Sequence, residues 1–293
     1  MPIDISTPVP IVDGTSITRE QFQREYHLPQ RPVVMRGLWK QYPAYTKWTM
    51  DHFRKTMGSI EVSLFGNRKE DLSKTLQKPN AIMRFDEYLD LIEHHNTDLR
   101  MWAFPVFKHR PEMLKDFGYP DIASRWIKLP FMFFGPPNSV VRMHQDIDMS
   151  NIHLTQFHGR KKVVLFPPDQ SELLYRLPFN VHSIVDIENP DYGEFPGLEH
   201  VKGVSTVLEH GDTLFIPSGW WHHIVYLEGG FGLALRAMGD ISTLSRGIWN
   251  LTALRMTDNV MNRLNEGRWF EYKKGIAFRR ANDAIRKQSR EMA

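Results

Sequence analysis

Between about residues 129 and 240 the chain is cut into seven short apolar runs by glycine, proline and polar turns: LPFMFFGPP, SVVRMHQD, NIHLTQF, KKVVLFPP, STVLEHGDTLFIPSG, WHHIVYL and FGLALRAM. Short strands at such close spacing, with turn signals between them, predict a β-sandwich or barrel. The flanks differ. Thr18-Arg-Glu-Gln21 followed by Phe22 and Tyr26 is a capping-box helix start, and residues 32–37 (PVVMRG) form a short strand ending at a turn. Trp48 and Thr49 open a second helix, 59–65 (SIEVSLF) form a strand, 66–80 a polar loop, and 84–94 an amphipathic helix with Phe85, Leu89 and Ile92 on one face. After Gly239 the pattern is helical again. Ile248, Leu251, Leu254, Met261 and Leu264 share one helix and 269–290 form a second, a helical hairpin at the C-terminus. No segment repeats at a fixed period. With 293 residues, the expectation is one large unit over 1–240 and a small helical appendage over 241–293.

The chain has no cysteine and 13 histidines. That excludes disulfides, iron–sulfur clusters, cysteine-bound zinc and a thiol nucleophile, and leaves metal chemistry to histidine and carboxylate. Val141-Arg-Met-His144-Gln-Asp146 places a histidine and an aspartate two residues apart in an expected strand, on the same face and toward the barrel interior. An inward His and Asp are costly to bury alone, and a divalent cation is the most effective partner for both. Taken by itself the pair also fits a simple hydrogen bond. Gly211-Asp-Thr-Leu-Phe-Ile-Pro217-Ser-Gly219-Trp-Trp-His222 tips the balance, with a turn, a strand, a Pro-x-Gly bend and a histidine just after it. His222 and His223 cannot both face inward, and His222 follows the bend. Two histidines and one carboxylate leave three open positions on octahedral iron(II), enough for a bidentate 2-oxo acid and dioxygen. A structural zinc site would be closed.

Gly211, Pro217, Gly219 and His222 resemble the second cupin motif, with Tyr226 where that motif usually has asparagine. His144-Gln-Asp146 with the distant His222 is similar to the ligand pattern of the JmjC-type, or cupin-like, Fe(II)/2-oxoglutarate oxygenases. Arg31-Pro-Val-Val-Met-Arg-Gly37, Trp48-Thr49, Leu165-Phe-Pro-Pro-Asp169, Asp186-Ile-Glu-Asn-Pro-Asp191 and Trp220-Trp221-His222-His223 look like the branch that holds the hypoxia-inducible-factor asparaginyl hydroxylase and the wybutosine tRNA hydroxylase. The resemblance covers roughly residues 10–240. It implies a mainly β fold, a double-stranded β-helix (jelly-roll) core with flanking helices, and His144, Asp146 and His222 as both metal ligands and catalytic centre. Lys161 matches the lysine that pairs with the distal carboxylate of 2-oxoglutarate; alternation makes at least one of Arg160, Lys161 and Lys162 a solvated residue. Asn151 resembles the asparagine that bonds the co-substrate near the metal, but lies one residue farther from the lysine, a step a bulge would absorb. Val141 stands where several relatives have a hydroxyl residue, and Arg236 on the last strand is a candidate replacement contact to the co-substrate. Trp220 and Trp221 either line the cavity mouth or pack.

The other histidines have no second ligand at a useful offset. His94 and His95 end a helix without an HExxH pattern, and His153, His158, His182, His200 and His210 read as surface or core residues. There is no GxGxxG, P-loop or GxSxG motif. Asn250-Leu251-Thr252 fits a glycosylation sequon by chance. The first residues contain an acid, several prolines and no apolar signal core, and no uncharged run approaches the roughly 18 residues that span a bilayer. The expectation is a cytoplasmic protein without membrane contact.

Residues 255–293 hold ten Lys/Arg against five Asp/Glu, so the whole positive excess sits in the tail. A solvated helix face explains this, and so does contact with RNA or an acidic protein. The C-terminal helices are also candidates for homodimer formation, as in the asparaginyl hydroxylase. The reading is an Fe(II)- and 2-oxoglutarate-dependent dioxygenase acting on a protein side chain, with dioxygen as the other reactant. The alternatives are a tRNA-nucleoside hydroxylase of the same mechanism and a non-catalytic metal-binding cupin serving as sensor or scaffold. Histone demethylation fits least, because no reader or zinc module accompanies the domain.

Overall fold

Alternation of apolar side chains builds two facing sheets. The computed structural model describes residues 3–66, 78–94 and 97–291. Its strands are β1 (Asp4–Pro8), β2 (Ile11–Asp13), β3 (Val33–Arg36), β4 (Glu61–Leu64), β5 (Ala81–Arg84), β6 (Met101–Phe104), β7 (Trp126–Gly135), β8 (Val140–His144), β9 (Asn151–His158), β10 (Lys161–Phe166), β11 (Lys202–Leu208), β12 (Asp212–Ile216), β13 (Trp221–Tyr226) and β14 (Gly230–Ala237). One sheet runs β1-β11-β10-β13-β8 and the other β2-β3-β12-β9-β14-β7-β6, while β4 and β5 form a small hairpin apart. From β7 onward the chain visits the two sheets in jelly-roll order, four strands in each.

Ile152 and Leu154 of β9, Leu214 and Ile216 of β12 and Ala234 of β14 point inward, to meet Val163, Leu165 and Ile224 from the opposite sheet. Their strand neighbours point out. Phe215, Leu233 and Leu235 bury against Phe22, Trp48, Phe53 and Phe85 from the N-terminal elements. Val164, Phe166 and Trp221 bury on the other side against Tyr175, Phe195, Ala277 and Ala281. Each sheet therefore has both faces covered, which explains strands that are apolar almost throughout.

Most predicted flanking elements are present. Thr18 caps its helix by accepting from Gln21 N, and Thr49 caps Met50–Met57 by accepting from His52 N. The expected 59–65 strand is β4, and the 84–94 helix is Phe85–His94. Strands β5 and β6 have no clear alternation and escaped the sequence pattern. Most of the predicted 66–80 loop, and His95, lie outside the described residues.

At the C-terminus, Ile241–Trp249 starts at the Asp240 cap and leads through a π turn into Arg255–Glu291, which is broken at Asn265 (φ −162°, ψ 90°). The break reverses the chain. Fifteen residues of straight helix would span roughly 22 Å, yet Lys273 Nζ lies 2.6 Å from Asp258 Oδ1. Among the described residues, no helix is long and apolar enough to cross a membrane.

His153 is a cost carried by the core. It is buried among Phe22, Trp126 and Phe215, neither ring nitrogen has a hydrogen-bond partner, and burial pushes its pKa down to about 3. The unfolded chain takes up this proton below about pH 6.5 while the folded chain does not, so stability is lost as pH falls from there toward 3. Between pH 7 and pH 5 this one group should remove on the order of 2 kcal/mol. Urea unfolding at the two pH values tests it: His153→Phe should flatten the slope, and an unchanged slope would refute the assignment.

Candidate metal centre

The strand β8 ends at His144, and the next residues turn away from the sheet. Gln145 N donates to Val181 O, and Met149 N donates to Asp146 O at 3.1 Å to close the turn. Asp146 therefore lies past the strand end rather than within it, yet its carboxylate swings back to the same side as His144. His222 arrives from the second position of β13 as the register partner of His144, with ring centroids 4.1 Å apart. The bend before it is pinned: Gly219 has φ +75°, a conformation suited to glycine, and its carbonyl accepts from the Gln145 side chain. Ser218 is tied on both sides, by N–H to Asn151 Oδ1 at 3.0 Å and by Oγ–H to Met149 O at 2.6 Å. The two ligand-bearing segments thus hold one another.

Donor atoms of His144, Asp146 and His222 all lie within 4.8 Å of one another, the only such His/Asp/Glu trio among the described residues. Each imidazole has its Nδ1 at a backbone carbonyl, His144 at Arg142 O (2.8 Å) and His222 at Trp220 O (3.2 Å). That contact places the proton on Nδ1 and leaves the Nε2 lone pair free to bind a cation. Burial first, and the neighbouring His222 second, push the His144 pKa down to about 3; burial pushes His222 down to about 4. Both are neutral donors at physiological pH. Asp146 Oδ2 is buried without a hydrogen bond. Two neutral imidazoles beside a carboxylate with an orphaned oxygen fit a first-row divalent ion.

The trio opens into a cavity of about 260 Å³ inside the jelly roll, walled by apolar residues such as Phe133, Leu154, Ile216 and Ile224. Lys161 lines it at the start of β10 and is 1% exposed. Burial without a counter-charge pulls its pKa down to about 7. Its neighbours face out, Arg160 toward Glu228 at 2.7 Å and Lys162 toward Glu188 at 3.7 Å. Arg236 also lines the cavity, but it is turned to the acids, 3.7 Å from Asp146 Oδ2 and 3.3 Å from Asp148 Oδ2. Burial, and then the nearby Asp146 charge, raise the Asp148 pKa.

Asn151 is turned elsewhere. Since Ile152 and Leu154 line the cavity, alternation sends Asn151 to the opposite face, where its Oδ1 holds Ser218. The register shift on β9 falls between Gln156 and His158, too far along the strand to bring Asn151 inward. His223, on the outward face of β13, lies 3.5 Å from Glu188 Oε1. Trp221 is core, donating from Nε1 to Ser171 Oγ, and Trp220 packs beside the inner cluster; neither lines the cavity.

Three residues that the sequence does not assign to the site line the cavity. Tyr226 lies four residues beyond His222 on the same strand face, which alternation alone reveals. Arg100, 8% exposed with its Nε unpartnered, comes from the edge of the unrecognised β6. His182 is brought in by a loop, its ring 5.9 Å from that of His144 and its Nδ1 at Asn180 Oδ1.

Comparison with known proteins agrees with this geometry. The profile of the cupin-like domain matches residues 19–237, which includes every strand of the jelly roll and all three donors. The chain belongs to the cupin-like family. Its relatives are of the JmjC type. Over 245 residues it is 29% identical to lysine-specific demethylase 8 of Xenopus tropicalis, covering 79% of this chain and 53% of that protein. Over 246 residues it is 28% identical to tRNA wybutosine-synthesizing protein 5 of Gallus gallus, covering 78% of this chain and 75% of that one. A homolog of HSPB1-associated protein 1 from Danio rerio is 26% identical over 71% of this chain and 51% of its own length. The chain thus spans about half of the demethylase and three quarters of the wybutosine protein.

Proposed function

We propose that this chain is an Fe(II)- and 2-oxoglutarate-dependent dioxygenase that hydroxylates a side chain of a protein substrate. The observation that carries this reading is the pairing of two unsatisfied features in one cavity, the His144/Asp146/His222 donor set and the buried cation of Lys161. His144, Asp146 and His222 would hold iron, which when bound supplies the oxygen activation that is coupled to decarboxylation of the 2-oxo acid. The chain's own part is placement. The carbonyls of Arg142 and Trp220 keep both imidazoles in the donor tautomer, and the Arg236 guanidinium stands beside Asp146 and Asp148 at the edge of the donor set. Phe133, Ile216 and Ile224 keep water from the reacting atoms, and Lys161 takes the distal carboxylate in a charge-assisted hydrogen bond.

A tRNA nucleoside is the second substrate reading. It is favoured by the similarity to the wybutosine protein over three quarters of that protein's length and by the tail's ten basic against five acidic residues. Succinate release from Fe(II), dioxygen and 2-oxoglutarate tests the reaction. Mass spectrometry of protein and RNA from cells with and without the gene tests the substrate: one added oxygen on a protein side chain supports the proposal, one on a tRNA nucleoside moves it to the second reading, and loss of a methyl group from lysine overturns both. No turnover, together with no stabilisation against heating by Fe(II) and 2-oxoglutarate, would leave the sensor or scaffold reading.

The same helices support self-association. Ile241, Ile248, Trp249, Met256 and Leu264 are all exposed on the C-terminal hairpin, apolar side chains that a second copy of the chain would cover. Light scattering should give twice the chain mass, reduced to one chain by Trp249→Lys with Leu264→Lys; a monomeric parent would overturn the inference.

A further inference from the structure

One end of the cavity is built around Lys161, beside which no anion stands among the described residues. Register pairs Lys161 on β10 with Tyr226 on β13, and the Lys161 Nζ stands 4.3 Å from the centre of the Tyr226 ring, over its face. On β13 the inward side chains are His222, Ile224 and Tyr226, all three in the cavity wall. A strand rise of roughly 3.3 Å per residue puts Tyr226 about 13 Å along the strand from His222. The metal donors and the lysine therefore address the two ends of one short ligand.

Two glycines shape the seat. A Cβ at Gly135 would come 2.8 Å from the Tyr226 ring carbons, so the ring packs flush against β7. A Cβ at Gly232 on β14 would stand 3.3 Å from Lys161 Nζ. The groups that face the ammonium are the Tyr226 ring from β13, the Gly232 backbone from β14 and the Gln156 side-chain amide from β9. The Gln156 Oε1 would lie 3.1 Å from the same Gly232 Cβ and has no hydrogen-bond partner. Among the described residues, no carboxylate lies within ion-pair distance of Lys161. A lysine so placed tends to shed its proton and with it its affinity for a carboxylate. The negative face of the Tyr226 ring, its centre 4.3 Å from the ammonium, opposes this.

We propose that Tyr226 is a positioning residue for the co-substrate: its ring face holds the Lys161 ammonium charged and aimed at the distal carboxylate of the 2-oxo acid. This rests on the reading of the chain as a 2-oxoglutarate-dependent enzyme. It also accounts for a tyrosine where the cupin motif usually has asparagine. The role belongs to the ring and not to the hydroxyl, so phenylalanine should replace it and an aliphatic side chain should not.

The test is calorimetric titration of the anaerobic Fe(II)-loaded protein with 2-oxoglutarate from about pH 6 to about pH 9. Tyr226→Phe should bind within about twofold of the parent at every pH, whereas Tyr226→Leu should bind roughly tenfold more weakly, with its alkaline loss of affinity moved to lower pH. Tyr226→Met is the second truncation should the leucine variant fail to fold. The five-carbon acid 2-oxopentanoate, which lacks the distal carboxylate, should bind parent and variants alike. Equal affinity of parent and truncated variants would overturn the proposal, as would a Phe variant as weak as the truncated ones, or an equal loss for 2-oxopentanoate. A parent that does not bind 2-oxoglutarate at all would instead end the functional reading on which the proposal rests.

Discussion

Alanine at His144, Asp146 or His222 should reduce the proposed iron-dependent turnover of 2-oxoglutarate to the level without protein. The three donors would share one ion, and His182 is not placed to replace either histidine, since its Nδ1 is committed to Asn180 and its ring stands 5.9 Å from that of His144. Loss of one donor removes a third of the protein's ligands. The Asp146 variant is the most informative. It removes the only negative charge of the trio and leaves Arg236 with Asp148 alone, so its stabilisation by Fe(II) against heating should vanish along with activity. His223→Ala, whose side chain lies on the outer face beside Glu188, is the matched control and should keep turnover near the parent's. Parent-like turnover in all three donor variants would end the assignment of the centre.

The largest effect on stability is expected at Asp258. Its carboxylate and the Lys273 ammonium are both fully buried, 2.6 Å apart, and Trp269 Nε1 donates to the same oxygen at 2.8 Å. Burial lowers the Lys273 pKa and the Asp258 charge opposes that shift. Asp258→Ala takes from the buried Lys273 the carboxylate that lies 2.6 Å from it, a change that costs about 3–5 kcal/mol. Removing both charges, as Asp258→Leu with Lys273→Met, should recover most of that loss, because an apolar pair of similar volume has no desolvation cost to meet. Denaturant unfolding of the three variants decides the matter; a single variant as stable as the parent would show that the pair is not what joins the hairpin's two arms. The effect should extend to the metal centre. Trp269 packs on Phe179, at the start of the loop that carries Asn180, Val181 and His182 to the cavity, so the single variant should also bind Fe(II) less tightly than the double one.

The seven apolar runs from LPFMFFGPP to FGLALRAM fall in β7–β14, because each strand's pattern is local and needs only the two-residue period to be read. The same rule separates His222 from His223 and Lys161 from Lys162, whose environments in the fold are opposite. It failed where the pattern depends on register. Asn151 was assigned to the co-substrate on the assumption that a bulge shifts it inward; the bulge exists, but at Gln156–His158, so Ile152 takes the inward place. Register is set by the strands alongside, and those are distant in sequence. Arg236 faces the cavity as its strand suggests, yet its contacts with Asp146 and Asp148 arise only when β14 lies beside the turn after β8.

The sequence by itself thus determined the sheet-forming core, the helical hairpin and the residue types able to hold a metal, all of which depend on neighbours a few positions away. Tertiary structure alone decided that His144 and His222 stand side by side, that Arg100 and His182 enter the cavity wall, and that Tyr226 lies under Lys161. Those facts follow from which strands pair and in what register. That choice is made by burial of two whole sheet faces at once, a cooperative quantity that no short stretch of sequence contains.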